Sequence, residues 1–171
     1  IRSHSSGAGQ PLSEDLSRAT MLARLNSLMR GYSGIHPSAA EVLTALLNEK
    51  VTACIYERGG VGASGDLVQL AHLALNLIGE GEVLAEGAWQ PAKEVMAARN
   101  IIPLEIHLRE GLGLMNGTSA MTGVGMVNVI HARKLINCSI ILSAITNELM
   151  KSFDDHFSFE LNHVKHHRGQ S

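Results

Sequence analysis

The chain has 171 residues, 45% hydrophobic but only 4% aromatic, which suits one domain with an aliphatic core. Its formal net charge is −2 and its pI is near 6.5, so the charge balance gives no reason to expect nucleic acid. Cys54 and Cys138 lie far apart with no pairing pattern, which suits a reducing cytoplasm.

Helix dominates the pattern. Ser13 is placed to cap a helix whose first turn carries Glu14 and Asp15, acids that suit its dipole. Leu16, Ala19, Leu22, Ala23, Leu25 and Met29 then recur at helical spacing until Gly31 stops the run. Pro37 fits the first turn of a second helix. Val42, Leu43, Leu46, Leu47, Val51 and Cys54 continue as one apolar stripe, and a glycine loop follows. Asp66 is placed to cap a short apolar helix that ends before Gly79. Residues 83–90, with a Glu86-Gly87 turn, read as a small hairpin, and 92–99 as a short helix. Residues 118–152 read as one long helix. Gly123 and Gly125 inside it would cost about 1 kcal/mol each relative to Ala, which points to close packing against a neighbouring helix. The longest apolar run, 135–145, contains Asn137 and two serines and is too short to span a membrane, so no membrane partner is expected.

The most informative stretch is Gly62-Ala63-Ser64-Gly65-Asp66. An Ala-Ser-Gly tripeptide between glycines can close on its own backbone. The Gly65 amide nitrogen attacks the Ala63 carbonyl carbon, and two water losses, one removing the Ser64 hydroxyl, leave 4-methylidene-imidazol-5-one (MIO). Only a chain with almost no side-chain bulk folds tightly enough for this. A competing reading exists, because Gly60-x-Gly62-x-x-Gly65 also satisfies the dinucleotide-binding spacing, with 51–56 as the strand before it. Three things count against it. The upstream residues continue a helical stripe, Asp66 would repel a bound pyrophosphate, and no second strand ending in a ribose-binding acid follows.

The surroundings of the loop carry a resemblance. Gly60-Val61-Gly62-Ala63-Ser64-Gly65-Asp66-Leu67, Leu70-Ala71-His72-Leu73-Ala74-Leu75 and Ile78-Gly79-Glu80-Gly81-Glu82-Val83 resemble the aromatic amino acid and histidine ammonia-lyase family. So do Glu110-Gly111-Leu112-Gly113-Leu114-Met115-Asn116-Gly117-Thr118, the opening Arg2-Ser3-His4-Ser5-Ser6-Gly7-Ala8-Gly9 and the closing His167-Arg168-Gly169-Gln170. The resemblance implies an all-α fold, the helical bundle core of the fumarase/aspartase-like ammonia-lyases with a small β-hairpin. It also implies that 1–171 is a central fragment of a longer domain, inactive alone, from a homotetramer whose sites combine three subunits. The implied cofactor is MIO made from Ala63, Ser64 and Gly65. The implied substrate is an aromatic or histidine L-amino acid, which loses ammonia to give an α,β-unsaturated acid.

Other residues divide between ordinary and chemical roles. Asn116 before a glycine is ordinarily an N-cap or turn residue; the resemblance places it in the active site, bonding the ring and the substrate without changing charge. His4 is ordinarily a loop histidine; the resemblance places it in the pocket around the substrate side chain. The histidines 163, 166 and 167 near Asp154, Asp155 and His156 lack a recognised zinc spacing, and the resembling Arg-Pro-His-x-Gly-Gln stretch of the family holds no metal. His166 stands where that stretch has Pro. His72 and the methionines read as core. Tyr32 and Tyr56 do not match the family's catalytic Tyr, which sits upstream of anything matched here. The chain also has Val68-Gln69 where the family usually has Ala-Pro, which should loosen the first turn of that helix. Thr118-Ser119 leans toward the 2,3-aminomutases of the same family. A non-catalytic assembly remnant is the third reading, against which intact Ala63-Ser64-Gly65 and Asn116 argue.

Overall fold

The computed structural model describes residues 1–169. It separates into two compact units, Ile1–Val129 and the residues from Ile130 onward. The first is built around an apolar helix, α3 (Leu67–Leu77), which buries Leu70, Ala71, Leu73, Ala74 and Leu77 on most of its circumference. A helix apolar nearly all round belongs at the centre of a fold. Against it and each other pack α1 (Glu14–Met29), α2 (Ser38–Asn48) and α5 (Glu110–Met115). Met21, Leu43, Leu46, Ile55, Leu73 and Met96 complete the core, which is aliphatic as the composition demands.

Two small antiparallel sheets flank these helices. β1 (Ala8–Pro11) pairs with β3 (Tyr56–Arg58), and β2 (Thr52–Ala53), β4 (Glu82–Ala85) and β5 (Ala88–Pro91) form a sheet in the order β2-β4-β5. The expected hairpin is β4–β5. Its turn residues Glu86 and Gly87 have φ of 54° and 78°, the paired positive values that suit strand twist. α4 (Ala92–Ala98) follows it.

Three expectations need correction. The apolar stripe ending at Val51 and Cys54 is not one helix. α2 stops at Asn48, Lys50 turns the chain with φ 55°, and β2 and β3 follow. Burial on both faces made strand and helix look alike there. The helical argument against dinucleotide binding therefore fails. The antiparallel pairing still excludes the βαβ unit that such binding needs. On α1 the buried residues are Ser17, Thr20, Met21, Arg24, Leu25 and Leu28, while Leu22 and Met29 are exposed, so a face that is half polar turns inward.

The long helix α6 (Ser119–Leu149) matches the expected one. The run at 135–145 is nevertheless not a short isolated segment. The helical stretch Glu110–Leu149 is, by length and composition, long and apolar enough to cross a membrane, with a mean hydropathy of 1.3 in its best window and none of that window buried in this chain. Within the second unit a 3₁₀ turn (Asp154–Phe157) and α7 (Phe159–His163) follow, with the rings of Phe159 and His163 stacked. His166 has φ 53°, a conformation closed to the Pro of the resembling stretch. Gln170 lies outside the described residues.

Gly123 meets α1 so closely that an added Cβ would lie 2.5 Å from the Thr20 amide nitrogen, whereas nothing lies within 4 Å of a Cβ at Gly125. Gly123→Ala should therefore destabilise the protein by about 1–3 kcal/mol, and Gly125→Ala should stabilise it by up to about 1 kcal/mol. Denaturant titration of the two variants checks this; equal midpoints would remove the packing role of Gly123.

Candidate active site

The glycine loop is strained where the sequence predicts chemistry. Ser64 has φ 59° between Gly62 at 72° and Gly65 at 98°. A serine in the left-handed region costs on the order of 1–3 kcal/mol and persists only where its surroundings fix it. Ala63 and Ser64 are exposed, while Gly65 and Asp66 are half-buried.

What fixes the loop is the segment that carries Asn116. The Asp66 amide donates to the Gly117 carbonyl at 2.7 Å, and a Cβ at Gly65 would collide with that same oxygen. Residue 65 must therefore be glycine for steric reasons as well as for its φ. The Met121 amide donates to the Asp66 carboxylate at 2.8 Å. Asp66 was expected to cap α3 with its side chain. It does stand at the N-cap of α3, but its carboxylate is taken by the first turn of α6. The N-termini of two helices thus converge beside Gly65.

Asn116 ends α5, with φ −85° and ψ 117°. Its side chain is exposed, and the first turn of α6 takes its cap from Asp66, so Asn116 is not the N-cap that its position before a glycine suggests. It lines a cleft of about 510 Å³ with Tyr32, Arg109 and Leu112. Gly60, Gly62 and Asp66 line a second cleft of about 520 Å³, with Gln69 and the α6 residues Met121 and Val124. Ser64 lines neither. The two residues that depart from the family pattern cover the loop: a Cβ at Gly59 would meet Val68 at 2.9 Å, and one at Gly60 would meet the Gln69 amide at 2.9 Å.

His4 sits in an exposed 3₁₀ turn, Arg2–His4, with its Nδ1 3.0 Å from the Ser3 hydroxyl. Two anchors hold this segment. Arg2 pairs with Glu80, and the Gly7 amide donates to His72 Nε2 at 2.9 Å. Gly7 in turn lies against Gly59. His72 is therefore core, as expected, and also an acceptor. Burial pushes its pKa down, in keeping with the acceptor role of Nε2 toward the Gly7 amide. The structure thus sets Gly65 and Asp66 against Gly117, the residue after Asn116, and anchors the His4 segment to α3, while among the described residues the His4 side chain bonds Ser3.

Two buried charges escaped sequence reasoning. Arg24, 2% exposed, donates to the carbonyls of Gly113 and Asn116, the latter at 3.2 Å. Its burial lowers its pKa. Glu110 accepts from the amides of His36 and His107, each at 2.7 Å. An arginine on a helix with few core leucines, one turn after Thr20 and two after Ser17, was the available signal for the first. Nothing local distinguished Glu110 from any first-turn acid.

Burial alone would raise the Glu110 pKa, but the His107 and His36 amides outweigh it and hold the carboxyl below its usual 4.5. Its contribution to stability is therefore present above that value and lost as pH falls through the folded pKa. The melting temperature of wild type should fall more steeply below about pH 4.5 than that of Glu110→Gln, which cannot titrate there. Parallel curves would show that Glu110 is not a source of the acid limb.

Comparison with known proteins shows the family. The family model for aromatic amino acid lyases matches residues 1–171. A tyrosine 2,3-aminomutase of Myxococcus sp. (strain Mx-B0) is 43% identical over 99% of this chain and 32% of its own length. A histidine ammonia-lyase of Geobacillus sp. (strain WCH70) is 44% identical over 99% of this chain and 34% of its own. The crystal structure of histidine ammonia-lyase from Trypanosoma cruzi superposes with a TM-score of 0.92 at 30% identity, covering 98% of this chain and 33% of that one. The chain spans about a third of the length of the curated relatives it matches.

Proposed function

The chain belongs to the aromatic amino acid lyase family, and on that premise we propose that the protein containing it eliminates ammonia from an aromatic or histidine L-amino acid to give an α,β-unsaturated acid. The observation that carries this reading is the left-handed, exposed Ser64 held against the Asn116-Gly117 turn.

The residues fit an MIO group. Ala63 and Gly65 are small, Ser64 is exposed with its hydroxyl free to leave, and Gly65 leaves no room for a Cβ. That group supplies a carbon electrophile that makes the substrate nitrogen a better leaving group. Asn116 donates and accepts beside it, fixing the substrate without altering charge. The helix N-termini meeting at Asp66 favour negative charge beside Gly65, partly offset by the Asp66 carboxylate. His4 meets the substrate side chain, its imidazole suited to a phenol or a second imidazole. Neither Tyr32 nor Tyr56 is assigned the base that takes the β-proton.

The reading extends to a cytoplasmic homotetramer. Its support is the exposed apolar surface of α6, including Ile136, Ile140, Leu142 and Ile145, which a helical bundle would bury. A second reading, a 2,3-aminomutase that returns the amine at the β-carbon, is favoured by Thr118-Ser119, while identities of 43% to a tyrosine 2,3-aminomutase and 44% to a histidine ammonia-lyase are compatible with both. Product analysis of the full-length protein with histidine, tyrosine and phenylalanine separates the two: the unsaturated acid plus ammonia, or the β-amino acid. Absence of both, with no ring absorbance, would leave the assembly-only reading.

Ser64→Ala should fold normally and lose turnover by several orders of magnitude, on the order of 10³-fold or more, because covalent activation is gone. Near-wild-type turnover in that variant would end the electrophile assignment. Asn116→Ala should lower kcat by about 10²-fold, the scale for one preorganised donor, with an unchanged melting temperature. A collapsed melting temperature with normal activity per folded molecule would make Asn116 structural. His4→Phe should raise kcat/KM for phenylalanine relative to tyrosine or histidine by about tenfold, the worth of one unpaired polar group. An unchanged ratio would place His4 outside the pocket.

A further inference from the structure

Arg24 is a charged side chain buried on a helix that the proposed chemistry does not use. One terminal nitrogen, Nη2, donates to two carbonyls at the end of α5, those of Gly113 and Asn116, and Nε finds no partner among the described residues. Among the described residues no carboxylate pairs with it. A cation is seldom buried on those terms, since taking it out of water costs several kcal/mol. What it gains is a clamp. With Nη2 on both carbonyls and Nη1 where a Cβ of Gly117 would fall, the planar group meets Gly113, Asn116 and Gly117 at once, which a single ammonium nitrogen cannot do.

The clamp has a definite reach. The Asn116 carbonyl it holds belongs to the residue whose amide faces the cleft. The next residue, Gly117, has no space for a Cβ, which would collide with the same guanidinium. The Gly117 carbonyl in turn receives the Asp66 amide and presses on Gly65. A single rigid side chain therefore stands behind both halves of the site.

We propose that Arg24 is a positioning residue: its guanidinium fixes the Asn116-Gly117 turn so that the Asn116 amide meets the substrate in one place. This rests on the function proposed above, and it predicts an effect carried through Asn116 and not through the fold at large.

The test is made in the full-length enzyme with Arg24→Met, which matches the bulk and removes the donors. Hydrogen exchange should accelerate at least about tenfold for peptides covering 113–121 and for the Asp66 amide, while peptides of α2 stay unchanged. The kcat should fall about 10- to 100-fold with little change in KM, the scale of a small misplacement of a catalytic group. The double variant Arg24→Met/Asn116→Ala should be no slower than Asn116→Ala within about threefold, because the two act on one interaction. Should the Met variant fail to fold, Arg24→Lys carries the same comparison, since it keeps the charge but its nitrogen ends one atom short of Nη2 and leaves the Nη1 position against Gly117 empty. Unchanged exchange at 113–121, or kcat losses that multiply in the double variant, would overturn the proposal while leaving the proposed function standing. A wild type with no ring absorbance and no turnover would overturn both.

Discussion

One hydrogen bond ties the candidate site together, from the Asp66 amide to the Gly117 carbonyl at 2.7 Å. It joins a loop that has no regular structure to the break between α5 and α6. The glycines around Ser64 favour no conformation of their own, so a serine at φ 59° depends on such contacts with the rest of the chain. The strain at Ser64 is imposed from outside, by an oxygen that occupies the place of a side chain at Gly65.

The remaining features of the first unit follow from keeping that bond in place. α3 is apolar on most of its surface because it carries the loop and must not shift. Asp66 serves two helices at once, at the start of α3 and on the first turn of α6. Glu110 and Arg24 grip the two ends of α5, one through amides of the preceding chain and one through carbonyls of the last turn. A helix of six residues is too short to hold itself and takes its stability from such contacts. The anchors of the His4 segment belong to the same arrangement, since Gly7 rests on both His72 and Gly59.

Much of this was legible in the residues. The small side chains at 62–65 announced the loop, the Glu86-Gly87 pair announced the hairpin turn, and helix periodicity located α3, α4 and α6. Asn116 was legible as a residue of interest, but its environment was not, because α5 is too short for periodicity to register. The strands after Asn48 were hidden by burial on both faces. Arg24 was hidden for the opposite reason. Apolar residues mark a face only when the buried side is apolar, and α1 buries Ser17, Thr20 and Arg24, Thr20 against α6 and Arg24 against the end of α5.

The departure at Val68-Gln69 has its own bearing on how this loop can drift. Where a proline would stiffen the start of α3 by its covalent ring, this chain lays two side chains over Gly59 and Gly60. Shape is then maintained by volume instead of by a locked torsion. Volume, unlike a torsion, is shared between positions. A side chain gained at 60 would displace the flexible end of Gln69, so in descendants of this sequence the two sites are expected to vary as a pair.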